Sequence, residues 1–151
     1  MAARNGEGDM RTSEGKIADM VRLVIPGPPP LSLNQQERLH WAKRRRLREW
    51  WAQQARYAWI EAGRPKFERA MVRYRLYYPT NRKRDGDNCV ASCKPILDGL
   101  KGHAFPDDDA GTVTILPPVI AVDKYNARVE IEITEAAEVR RHTNDAREWL
   151  N

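Results

Sequence analysis

Apolar and polar positions along the chain sort into short alternating runs and one long stripe of helical period. Residues 21–25 (Val-Arg-Leu-Val-Ile) alternate enough for a first strand. Pro26-Gly27-Pro28-Pro29-Pro30 stops it, because proline cannot donate to a sheet ladder. Residues 31–34 read as a loop. From about 36 to 62, Leu47, Trp50, Trp51, Ala55, Ala58 and Trp59 recur at three- and four-residue intervals, which predicts a helix with one apolar face. At this spacing the tryptophans belong to a core rather than to a base-stacking surface. Gly63 and Pro65 end the helix. In the strand predicted over 71–78, Val72, Tyr74, Leu76 and Tyr78 share one face while Arg73 and Arg75 share the other. A loop over 79–84 leads to a second helix, about 87–100, whose apolar stripe is Val90, Cys93, Leu97 and Leu100. Two more strands are predicted near 112–122 and 127–134. The last sets Val129, Ile131 and Ile133 against Arg128, Glu130 and Glu132.

The order strand, helix, strand, helix, strand, strand predicts an α/β (α+β) fold. Its expected form is a single layer pair: a mixed four-stranded sheet with two main helices packed on one face, plus a C-terminal helix. Residues 1–19 are polar, glycine-containing and without period, so they read as a disordered tail outside the core, and Met20 is a candidate natural start. The domain is expected over 20–135, followed by a helical or frayed extension over 136–151. No internal repeat is present.

A length of 151 residues suits one domain, and 41% hydrophobic with 31% charged residues excludes a collagen or a wholly disordered chain. Two cysteines exclude a disulfide-stapled scaffold. The longest apolar stretch, around 115–122, contains prolines and falls short of the roughly 20 residues a membrane span needs. No apolar segment opens the chain, so a cytoplasmic protein without membrane contact is expected. Cys89 and Cys93 are four apart, and His40, His103 and His142 are scattered, which predicts buried free thiols rather than a zinc site.

Net charge is +5, from 26 Lys and Arg against 21 Asp and Glu. Its placement matters more than its sign. Arg38, Lys43, Arg44, Arg45, Arg46 and Arg48 follow one another without an intervening acid, and Arg82, Lys83 and Arg84 stand directly before an acidic motif. Such clusters suit a phosphate backbone, because each contact releases a condensed counterion. A solvated helix face would carry the same charges.

That acidic motif, Arg84-Asp85-Gly86-Asp87-Asn88, carries the chemistry. Two carboxylates at i, i+2 beside a strand-to-helix junction can converge on one divalent cation, with Asp98 and Asp107-Asp108-Asp109 further along. Hard oxygen donors of this kind suit Mg²⁺, with Mn²⁺ as a substitute, and neither acidic run has the spacing of an EF-hand loop. At about 100° per residue, Asp87, Lys94 and Asp98 fall within roughly 20° on one helix face, although Pro95 interrupts that face. Each feature also has a plain structural reading. Asp87 can cap a helix, Lys94 and Asp98 can form an ordinary i, i+4 pair, and the three aspartates can be a solvated turn.

Taken together, Arg84-Asp85-Gly86-Asp87-Asn88, Lys94-Pro-Ile-Leu-Asp98-Gly-Leu100 and Pro106-Asp107-Asp108 resemble the signature of RusA-type Holliday junction resolvases. Pro28-Pro29-Pro30-Leu-Ser32-Leu-Asn34, with His40-Trp41 after it, resembles that family's N-terminal motif. The resemblance spans about 21–134. It implies a Mg²⁺-dependent, structure-selective endonuclease acting as a homodimer on four-way DNA junctions. Asp85, Asp87 and Asp108 would form the acidic metal site, with Asp107 and Asp109 as alternatives at the third position, and Lys94 would be the catalytic lysine. Two features depart from the pattern: Lys94 lies seven residues after Asp87, a longer interval, and Leu31 is an insertion in the proline loop.

The reaction so implied is in-line hydrolysis of a phosphodiester, leaving a 5′-phosphate and a 3′-hydroxyl, with Lys94 offsetting charge on the phosphoryl group. Paired symmetric nicks need two active sites, which a two-fold dimer supplies. Asn34, Arg38, Lys43, Arg44, Arg45, Arg46, Arg48, Arg82, Lys83 and Arg84 are the expected DNA contacts, positioning the backbone without reading sequence. The competing readings are a non-catalytic DNA- or junction-binding protein and a metal nuclease of other specificity.

Overall fold

The computed structural model describes residues 20–136. The tail predicted over 1–19, and the C-terminal extension beyond Ala136, lie outside the described residues. Five strands and four helices follow one another: β1 (Val21–Pro26), α1 (Leu33–Glu37), α2 (Trp41–Glu61), β2 (Ala70–Tyr78), α3 (Gly86–Ser92), α4 (Lys94–Leu100), β3 (Val113–Ile115), β4 (Val119–Val122) and β5 (Arg128–Glu135). The fold is α+β, as its alternating and helical periods predict.

One mixed sheet organises it. β5 lies between β1 and β2 and is antiparallel to both, while β3 and β4 run parallel to β2 along its other edge. The expected four strands are five, because Pro117 and Pro118 break the stretch predicted as one strand over 112–122. β3 pairs with Ala70–Val72, and β4 resumes opposite Arg75–Tyr78. Arg73 spans the interruption, donating to the Pro117 carbonyl oxygen at 2.9 Å.

Both predicted helices are also divided. Ser32 starts α1 inside the expected 31–34 loop through a reciprocal capping box: its hydroxyl accepts from the Gln35 N–H, and Gln35 Oε1 accepts from the Ser32 N–H at 3.0 Å. His40 then caps α2, its Nδ1 accepting from the Ala42 N–H at 3.2 Å. The second division falls at Cys93, since Pro95 has no N–H to return to Ala91 and its ring obstructs a continuous helix. Ser92 Oγ satisfies the Cys89 carbonyl there at 2.7 Å, and Cys93 N–H turns to Val90 O.

The two faces of the sheet differ completely. On one, Leu23, Ile25, Val72, Tyr74, Leu76, Val129, Ile131 and Ile133 are buried with Trp51, Ala55, Ala58 and Trp59 of α2 and Ile96, Leu97 and Leu100 of α4. Trp50 departs from its expected core place. It is 43% exposed, set edge-on against Trp51.

The other face is an ionic lattice. Arg22 meets Glu132 at 2.8 Å, Arg75 meets Glu132 at 3.5 Å, and Arg128 joins Glu130 at 2.7 Å and Asp123 at 2.9 Å. Arg128 also lies over the Tyr77 ring at 3.8 Å. Its Glu130 and Asp123 partners hold its guanidinium in the charged form. Alternation along β2 and β5 thus puts aliphatic side chains on the helix side and neutralised charge on the other. Cys89 and Cys93 are buried free thiols, as expected, and burial pushes Cys93 up to about 12. Among the described residues no helix is long and apolar enough to cross a membrane.

Candidate functional site

Two groups of candidate residues are assembled beside the helix break. The first centres on Lys94, at the start of α4. Its ammonium donates to Asp98 Oδ1 at 2.6 Å, one turn on, and to Asp108 Oδ2 at 2.7 Å, across from the loop after Pro106. Lys101 lies 3.8 Å from Asp107 Oδ1 and 3.8 Å from Asp108 Oδ1. Sequence reading passed over Lys101, although its seven-residue interval from Lys94 returns it to nearly the same helical azimuth.

Local bonding decides which of the three aspartates turns inward. Asp107 Oδ1 accepts the Asp108 N–H at 2.7 Å, and Asp109 Oδ1 accepts the Thr112 N–H at 2.9 Å, closing the turn before β3. Asp108 is left to face the lysines, its side chain 14% exposed against 50% for Asp107. The Lys94 hydrogen bond holds the Asp108 carboxyl below its usual range, and hydrogen bonds to Asp108 and then Asp98 raise Lys94. Lys94 is therefore a cation at neutral pH, able to offset negative charge but not to act as a base. Tyr74 lies beneath, lining a small cavity with Lys94 and Leu97. Its phenol is kept neutral by burial, with the Asp98 and Asp108 carboxylates adding to the effect.

The second group surrounds a cleft of about 500 Å³ between the proline loop and the 79–84 loop. Asn34 and Arg38 line one side, and Arg82, Lys83 and Arg84 line the other, so residues some 45 positions apart in sequence meet here. Asp85 also lines it. As N-cap of α3, its Oδ1 accepts the Asp87 N–H at 3.1 Å. Asn88 Oδ1 accepts from the Leu33 N–H at 3.5 Å, joining α3 to α1. Tyr78, on the strand face it shares with Val72, Tyr74 and Leu76, lies beneath Arg84 and lines the cleft as well.

The remaining cations are dispersed. Lys43, Arg44, Arg45 and Arg46 occupy consecutive positions of α2 and point in different directions at about 100° per residue. Arg45 forms an i, i+4 pair with Glu49 at 3.4 Å. Arg48 is likewise exposed on α2, and of the 38–48 cluster only Arg38 reaches the cleft.

The expected acid set is distributed in the same way. Asp108 belongs to the lysine group, whereas Asp85 and Asp87 stand at the start of α3, where Asp85 caps the helix. The predicted common face of Asp87, Lys94 and Asp98 survives only for the last two, because the break at Cys93 places Asp87 on a different helix. Carboxylate oxygens suit Mg²⁺ or Mn²⁺ chemically. Among the described residues, however, no three Asp, Glu, His or Cys side chains are grouped to hold a metal ion. Comparison with protein-family models and with curated proteins finds no match to this chain.

Proposed function

We propose that the protein is a cytoplasmic Mg²⁺-dependent endodeoxyribonuclease that resolves four-way DNA junctions as a homodimer. The observation that carries this reading is the Lys94 ammonium bridging Asp98 and Asp108, which joins the lysine motif to the aspartate loop. The cations of the adjoining cleft, Arg38, Arg82 and Lys83, have no carboxylate partner among the described residues and suit a DNA backbone.

In this reading Arg38, Arg82 and Lys83 hold backbone phosphates and bring the scissile group toward the acidic residues. Lys94, already protonated, neutralises charge gathering on the phosphoryl oxygens. Asp98 and Lys101 are positioning residues, holding Lys94 and Asp108 between them. If Mg²⁺ is bound, Asp85 and Asp87 of α3 and Asp108 of the 106–109 loop, with Asp107 next to it, would have to be drawn together to hold it, and the ion would supply Lewis-acid polarisation of the phosphate.

A second reading, a junction-binding protein without cleavage, is favoured by one observation: Asp108 is already neutralised by Lys94 and Lys101. A synthetic four-way junction separates the two. Wild type should introduce paired nicks in Mg²⁺, and Asp87→Asn should bind the junction equally well without cutting it. Binding without cutting by wild type would leave the second reading, and faster cutting of linear duplex than of the junction would indicate a nuclease of other specificity.

A further inference from the structure

We propose that the cleft between the proline loop and the 79–84 loop holds a single unstacked nucleotide of a DNA strand, its base lying on the guanidinium of Arg84. This rests on the nucleic-acid reading above and adds the substrate feature that the cleft would recognise.

The geometry begins with Arg84. Its guanidinium lies 3.6 Å over the Tyr78 ring. Its edge nitrogens donate to Thr80 O at 3.1 Å, to Arg82 O at 3.4 Å and to Thr80 Oγ1 at 3.4 Å. The group is thus a fixed plate with one face on an aromatic ring and its edges in use. What it offers a ligand is a flat cationic face, which suits stacking better than a fork-like grip on phosphate. Pro29 and Pro30 add apolar lining with little conformational freedom to lose.

Polar groups around the cleft divide into committed and free. Ser32 and Gln35 are used by the capping box, Ser92 by the Cys89 carbonyl, and Asn88 Oδ1 by the Leu33 N–H. The Asn34 amide makes no hydrogen bond among the described residues and can address a base edge. Arg38, Arg82 and Lys83 have no carboxylate partner there, in contrast to the neutralised arginines on the open sheet face. They are placed for the nucleotide's own phosphate and its neighbours. A volume of about 500 Å³ lies within the roughly 300–1,000 Å³ of pockets that enclose a small ligand, and matches one nucleotide rather than a duplex.

The test uses the full chain in EDTA, so that no cutting intervenes, and two DNAs of equal length at fixed salt. One is fully paired, and the other carries a single unpaired 2-aminopurine. Wild type should bind the second about tenfold more tightly, as stacking of one base allows, and should raise its fluorescence as the base leaves the DNA stack. Asn34→Trp, which fills the cleft from an exposed position, and Arg84→Ala, which removes the plate, should each abolish the preference and the rise in fluorescence. Thermal melts establish that both variants fold. Equal binding of the two DNAs by wild type, or an intact preference in Asn34→Trp, overturns the proposal. So does a loss of affinity by the same factor for both DNAs, which would mark simple phosphate contact. Junction cutting in Mg²⁺ is scored separately: cutting without the preference removes this subsite alone, and the preference without cutting removes the nuclease alone.

Discussion

Gly99 of α4 lies directly on the backbone of Ala52 in α2, so closely that a Cβ at position 99 would meet the Ala52 carbonyl oxygen and lie 2.7 Å from its Cα. The glycine within the Lys94–Leu100 motif is thus a packing requirement. It lets two helix backbones touch, and that contact positions the helix bearing Lys94, Asp98 and Lys101.

Gly99→Ala tests this by sign. In an exposed helix the change would stabilise by about 0.5–1 kcal/mol. Here both sides of the contact are backbone and cannot rotate away, so a loss of about 1–3 kcal/mol is expected from overpacking. Urea denaturation measures it, and a gain in stability would contradict the contact.

The Lys94–Asp108 bridge sets a pH dependence. Asp108 has a lowered pKa, so its contribution is present above the ordinary carboxylate value of about 3.9 and is lost as pH falls through the lowered one. Lys94 has a raised pKa, so its contribution is present below the ordinary lysine value of about 10.4 and is lost as pH rises through the raised one. The stability difference between wild type and Asp108→Asn should be level between these limits, at about 0.2–1 kcal/mol for so exposed a lysine. It should shrink toward both extremes, and a difference that persists unchanged into strong acid would refute the bridge.

Glu132 is the hub of the open sheet face, accepting from Arg22 at 2.8 Å and lying 3.5 Å from Arg75 and 4.0 Å from Arg73. Glu132→Gln leaves these arginines with too little opposing charge. A destabilisation of about 1–3 kcal/mol is expected, as for hydrogen bonds to charged groups. Part of it should be recovered in high salt, where mutual arginine repulsion is screened. Denaturant midpoints at low and high ionic strength decide this.

Lys94→Met addresses the proposed chemistry. If the ammonium offsets phosphoryl charge, junction cutting should fall about 10²–10³-fold while binding in EDTA persists. Lys94→Arg should recover part of the rate. Equal loss of cutting and binding would assign Lys94 to DNA contact or to folding instead.

What could be read without the tertiary structure was whatever depends on neighbours in the chain. Alternation along 71–78 and 127–134 predicted the faces of β2 and β5, because side chains in a strand point to opposite sides in turn. The apolar intervals of α2 correctly placed Trp51, Ala55, Ala58 and Trp59 in the core. Interruptions were less legible, although their causes are equally local. Ser32 and His40 as caps, Pro95 as a helix breaker and Pro117-Pro118 as a strand breaker act through single hydrogen bonds that a periodicity averages over.

Tertiary structure alone decided which distant groups meet. Asp107, Asp108 and Asp109 are equivalent as a string of letters. Only the turn closed onto Thr112 and the approach of Lys94 single out Asp108. The arginines of 38–48 read as one basic run, yet a helix rotates successive residues apart and only Arg38 joins the 82–84 loop. The common helix face expected for Asp87 and Lys94 was divided at Cys93. Chain order determined the elements and their polarity, because those follow from local backbone and side-chain geometry. Which aspartate meets Lys94 across the chain was decided by the way the 106–109 loop closes beside α4, whose own seat on α2 needs the missing Cβ at Gly99.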